Sequence, residues 1–60
     1  MKYVVDQNEK GKRLDIYLSQ ILAGKTRSYI KKLIEQENIL VNGKKQKSGY
    51  LLKLNDNVEV

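Results

Sequence analysis

Sixty residues with no cysteine and no histidine leave room for one small core and remove disulfides, thiolate sites and the commonest general base and metal ligand. The formal net charge is +5, and it is concentrated: Lys10 to Lys47 holds ten basic and three acidic residues, a local +7, against −2 elsewhere. A basic centre of this kind marks either a polyanion binder or an ordinary basic domain, and no apolar run exceeds three residues, so neither a membrane span nor a signal-peptide core is expected. The expected setting is the cytoplasm. An anionic membrane surface is disfavoured as partner, because no helix pairs a cationic face with Trp, Phe or Leu anchors opposite.

Tyr3-Val4-Val5 reads as a short strand. Gln7 to Lys12 is polar, contains Gly11 and reads as a loop. Leu14, Tyr17, Leu18, Ile21 and Leu22 then recur at helical spacing. Asp15 lies in the first turn, where the helix dipole favours an anion. Gly24 suits the left-handed residue that ends many helices. Ile16 falls off the apolar stripe and is expected at the surface. Thr26 is placed to cap a second helix with Ile30, Leu33 and Ile34 on its inner face. Leu18 and Leu33 are expected to face each other across the core. The second helix should end near Glu37-Asn38, with Asn38 taking the left-handed conformation.

Ile39-Leu40-Val41, Asn42-Gly43 and Lys44 onward predict a hairpin with a type I′ turn. Alternation sends Ile39 and Val41 inward and Leu40 outward. Tyr50 to Leu54 and Val58 to Val60 read as extended pieces around an Asn55-Asp56-Asn57 turn. The expected fold is α+β: two packed helices followed by a small, mostly antiparallel sheet with a β-hairpin. It forms a single domain, with a strand and loop over 1–12 and a helix-helix-hairpin core over 13–60. The domain is expected to be monomeric.

The basic positions carry the functional reading. Arg27 can donate two hydrogen bonds to one phosphate through its planar fork, or it can pair with Asp15. The start of the second helix offers free amides to an anion, a role compatible with capping by Thr26. Lys31 and Lys32 form either a phosphate-contacting face or a solvated one. A Lys31–Glu35 pair would have the weaker orientation. Lys44 and Lys45 extend the contact from the hairpin, unless they and Lys47 serve as edge-strand lysines that oppose aggregation. Lys47 stays open between the two roles. Ser28 and Asn42 would add hydrogen bonds, and Lys12, Arg13 and Lys25 would widen the field. Tyr17 belongs to the core, whereas Tyr29 lies off the apolar centre, within reach of a base or a neighbouring loop. The carboxylates are scattered, with no acid–base pair in view. The glycines do not have phosphate-loop spacing. No catalytic residue, metal ligand set or cofactor is expected among these residues.

Arg13-Leu14-Asp15, Thr26-Arg27-Ser28 and Ile39-Leu40-Val41-Asn42-Gly43-Lys44, in that order, resemble the S-four (S4) RNA-binding domain over Gly11 to Val60. Met1 to Lys12 and the phrase Arg27 to Ile34 are most similar to the N-terminal domain of bacterial ribosomal large-subunit pseudouridine synthases. The resemblance implies binding of structured, ribosomal RNA and positioning of that RNA for a C-terminal catalytic domain with a nucleophilic aspartate. Nothing in these 60 residues corresponds to that catalytic domain. A free-standing RNA-binding protein of ribosome assembly or rescue is the nearest alternative. A protein-interaction module using Ile16 and Leu40 is the alternative from another class. Two positions depart from the family pattern: Glu37, where glycine is frequent, and Gly49, beside Ser48, where serine or proline is frequent.

Overall fold

The computed structural model describes all 60 residues as β1 (Lys2–Val4), α1 (Leu14–Ile21), α2 (Arg27–Glu35), β2 (Leu40–Val41) and β3 (Asn57–Glu59). The architecture is α+β, two helices and a three-stranded antiparallel sheet. Neither helix is long and apolar enough to cross a membrane.

In α1 the inward stripe is as the spacing predicts: Leu14, Tyr17 and Leu18 are buried, and Ile21 and Leu22 pack half-buried against them. Ile16 is 37% exposed. The helix has no side-chain cap at Arg13. Instead the Asp15 carboxylate accepts the Ile16 amide at 2.8 Å, which satisfies one orphan donor. Gly24, at φ +90°, reverses the chain toward α2. Thr26 Oγ1 accepts the Tyr29 amide at 3.1 Å, as a cap should. The buried residues of α2 are Ile30 and Ile34. Leu33, expected opposite Leu18, is half-buried at the core margin.

The exit from α2 differs from the expected one. Glu37, not Asn38, has the positive φ, at 60°. The Asn38 amide donates to Leu33 O (2.9 Å) and the Glu37 amide to Ile34 O (3.1 Å). These are the two bonds of a Schellman ending, which puts the left-handed residue one place beyond Gln36 whatever its type. A side chain in that conformation costs about 1 kcal/mol relative to glycine. Glu37→Gly is therefore expected to stabilise the domain by about that amount. Urea unfolding would show it as a higher midpoint at unchanged m-value.

The sheet order is β1-β3-β2, with the last strand in the middle and both pairings antiparallel. Tyr3, Val58 and Val41 share one cross-strand row. Val58 and Val41 are buried there, and Tyr3 is half-buried against the core. Such pairs are the stabilising unit of a sheet. Val41 and Lys44 exchange both backbone hydrogen bonds, at 2.8 and 3.0 Å. Asn42 and Gly43 have φ of 53° and 77°. Both positive values match the type I′ turn. Ile39 and Val41 point inward as expected, but Leu40 is half-buried rather than fully outward.

The hairpin ends after that single pair. Lys45-Gln46-Lys47-Ser48 has no apolar residue to bury, so nothing holds it on β2, and the strand pairs with β3 instead. Tyr50 to Leu52 forms a short ladder with Gly11 to Leu14: Leu14 N donates to Tyr50 O, Leu52 N to Lys12 O and Gly11 N to Leu52 O, at 2.8–2.9 Å. The next turn spans Lys53 to Asp56, closed by Asp56 N on Lys53 O at 3.1 Å with Asn55 at φ 72°. It begins two residues before the expected one. The core is Val5, Leu14, Tyr17, Leu18, Ile30, Ile34, Ile39, Val41, Leu52 and Val58.

Candidate nucleic-acid interface

Four-residue spacing puts Arg27, Lys31 and Glu35 along one flank of α2. The 45–48 segment runs beside that flank. It is fixed at one end by the Val41–Lys44 pair and at the other by the Asp15 amide, which donates to Ser48 O at 3.1 Å. Between them lies a groove of about 640 Å³ lined by Lys31, Ile34, Glu35, Lys45, Gln46, Lys47 and Ser48. Lys31 and Ser48 also border a recess of about 160 Å³ at the start of α2, shared with Asp15, Arg27, Ser28 and Ile30. The two depressions form one track along the helix.

The track is cationic because Arg27, Lys31, Lys45 and Lys47 outnumber its two acids, Asp15 and Glu35. The ion pairs of the molecule are Lys12–Glu9 at 2.8 Å and Arg13–Asp15 at 3.0 Å. Arg27 does not pair with Asp15. Arg13 holds that carboxylate through both Nε (3.2 Å) and Nη2 (3.0 Å), a two-point contact that offsets the one acid near Arg27. Arg27, Lys31, Lys45 and Lys47 are left without ion pairs.

The other predicted basic positions fall into three groups. Lys12 and Arg13 are engaged within the fold. The Lys12 ammonium bonds Gln20 Oε1 at 2.8 Å as well as Glu9. Lys32 and Lys44 are exposed but line neither depression. Lys25 lies over the Tyr29 ring, 5.1 Å from its centroid, within cation–π range. Tyr29 is 44% exposed and, by helical geometry, on the flank of α2 away from the groove.

Asn42, expected to offer hydrogen bonds outward, is bonded at both ends of its amide. Its Nδ2 donates to Asp56 Oδ1 and its Oδ1 accepts the Asn57 amide, both at 2.9 Å. Asp56, only 6% exposed, reads in sequence as a turn residue and no more. Its Oδ2 accepts the Tyr50 hydroxyl at 2.8 Å and the Lys53 amide at 2.9 Å. Burial pushes the Asp56 pKa up, but the Lys53 amide, the Asn42 and Tyr50 hydrogen bonds and the Lys53 charge outweigh it, so the net shift is downward. Tyr50 shifts upward through its hydrogen bond to Asp56, then burial and the Asp56 charge. This network ties the hairpin turn to β3 and to the chain that follows the groove. Gln46, Ser48 and Glu35 also went unassigned as site residues. Their signal is spatial, because residues 45–48 meet α2 only through the fold.

No curated protein matches the chain. The family model of the S4 domain matches residues 12–58, which include both helices, the hairpin turn and the whole groove. The chain therefore belongs to the S4 domain family, a family of RNA-binding domains.

Proposed function

We propose that this domain binds structured RNA, that the RNA is ribosomal, and that the domain positions it for the catalytic domain of a pseudouridine synthase. The observation that carries RNA contact is the track along α2, where Arg27, Lys31, Lys45 and Lys47 have no ion-pair partner. These four engage successive phosphates. Ser28 adds a hydrogen bond in the smaller recess, and Lys25, Lys32 and Lys44 extend the field on either side. Lys12 and Arg13 contribute charge at longer range. The synthase reading is supported by the likeness of Met1 to Lys12 and Arg27 to Ile34 to that enzyme family's N-terminal domain, and it rests on analogy.

Titration of ribosomal RNA stem-loops over a salt series tests the reading. Affinity should fall with salt at a log–log slope of roughly −2 to −4, the signature of a few phosphates neutralised. Arg27→Ala should weaken binding to every RNA and make the slope shallower by about one unit or less. Lys53→Ala, outside the track, should change neither. An unchanged affinity and slope for Arg27→Ala would reject the site. Absence of salt-dependent binding by the wild type would leave the interaction-module reading, for which Ile16 is exposed and Leu40 half-buried. A ribosomal fragment should bind more tightly than an unrelated stem-loop of the same size. Equal affinities would restrict the domain to backbone contact.

A further inference from the structure

We infer that the larger groove is a seat for one unpaired nucleobase, and that Glu35 selects a base presenting an exocyclic amino group. The inference rests on the RNA reading above and goes beyond phosphate contact. A pure phosphate track has no use for a carboxylate, yet Glu35 lines the same groove as Lys31, Lys45 and Lys47. Glu35 takes part in neither ion pair of the molecule, so no lysine of the groove holds its carboxylate in direct contact. A phosphate brought next to it would be repelled. A hydrogen-bond donor would be attracted.

The shape and surface of the groove agree. Most of its exposed wall is carbon, supplied by the aliphatic stems of its polar residues, with the buried Ile34 beneath. Such a wall suits the face of a ring and wastes the hydration of a phosphate. Its volume of about 640 Å³ falls in the range of small-molecule sites rather than that of an anion. The lysine ammoniums, free of partners, can meet the phosphates that flank an extruded nucleotide. Gln46 and Ser48 add donors and acceptors on the loop side. Unpaired bases in loops and bulges are the parts of RNA whose edges a protein can read. A carboxylate accepts from the cytosine N4 amino group. Uracil puts the O4 acceptor where cytosine has its amino group and keeps only N3–H as a donor, so the groove should favour cytosine.

The test uses the 60-residue chain and RNA stem-loops that differ only in one bulged nucleotide, cytidine or uridine, with the fully paired stem as reference. Wild type should prefer the cytidine bulge by about fivefold or more. Glu35→Gln should bring that ratio close to one, because an amide both donates and accepts, while its affinity for the paired stem stays equal or rises. Glu35 is exposed, so a folded amide spectrum is expected for the variant. Equal wild-type affinities for the two bulges would overturn this inference. If binding then still depends on salt and Arg27, the phosphate reading survives alone. A cytidine preference that persists in Glu35→Gln would likewise overturn the role of Glu35. Loss of all salt-dependent binding would reject both readings.

Discussion

Leu18→Ala is expected to leave the domain largely unfolded at room temperature. Leu18 has no exposed surface and lies in the stripe of α1 that meets Ile30 and Ile34 of α2. Truncating a fully buried leucine costs about 2–5 kcal/mol, the spread reflecting how far the cavity collapses. A chain of 60 residues has a total stability of only about 3–9 kcal/mol at the usual per-residue value. The upper half of the mutational range therefore matches the lower half of the total. No disulfide restrains the unfolded state. Leu33→Ala is the informative contrast. Leu33 is half-buried at the core margin, so its loss should cost about 1–2 kcal/mol, with water entering rather than a void forming. Amide spectra and urea unfolding read both variants. A dispersed spectrum and a wild-type midpoint for Leu18→Ala would contradict the packing described.

The second large effect is expected at Asp56. Asp56→Ala removes an acceptor from the Asn42 amide, the Tyr50 hydroxyl and the Lys53 amide together. Hydrogen bonds to a charged group are worth about 1.5–3 kcal/mol, and orphaned donors add a desolvation penalty, so a loss of about 3 kcal/mol is expected. The hairpin turn should loosen with it, and RNA affinity should fall even though Asp56 touches no part of the groove.

The same carboxylate sets a pH dependence. Its folded pKa lies below the ordinary 3.8, so the unfolded chain takes up the proton first. The stabilisation is complete above the unfolded pKa and is lost as pH falls through the folded one. Tyr50 gives the mirror case. Its pKa lies above 10.0, so its contribution is present below that value and lost as pH rises through the folded one. Urea midpoints over an acid series should fall below about pH 4 for wild type and show a smaller fall for Asp56→Asn. Parallel acid limbs in the two proteins would mean that Asp56 gains nothing from its partners.

Some of this molecule is written locally. The stripe of Leu14, Tyr17 and Leu18 repeats with the helical period, and that period needs no knowledge of the partner surface. Thr26 caps α2 because its hydroxyl reaches an amide three residues on. Asn42-Gly43 makes a type I′ turn because few residue pairs tolerate two positive φ values. The family resemblance rests on those same local features, and the residues matched by the family model span them.

Other features depend on contacts distant in sequence. Local alternation cannot say that β3 inserts between β1 and β2, because a strand's neighbours are chosen by which faces are left to bury. Glu37 rather than Asn38 turns left-handed, since the Schellman bonds count from the last helical residue and override side-chain preference. Asp15 chooses Arg13 over Arg27 for a geometric reason: a neighbour two residues away on the same helix start reaches it with both nitrogens. Asn42 and Asp56 were legible only as turn residues, and their bond closes 14 positions of chain. The groove follows the same rule. Lys31 and Lys47 are ordinary surface lysines in sequence, and they come to line one groove only because a polar segment with nothing to bury leaves the sheet and returns along α2.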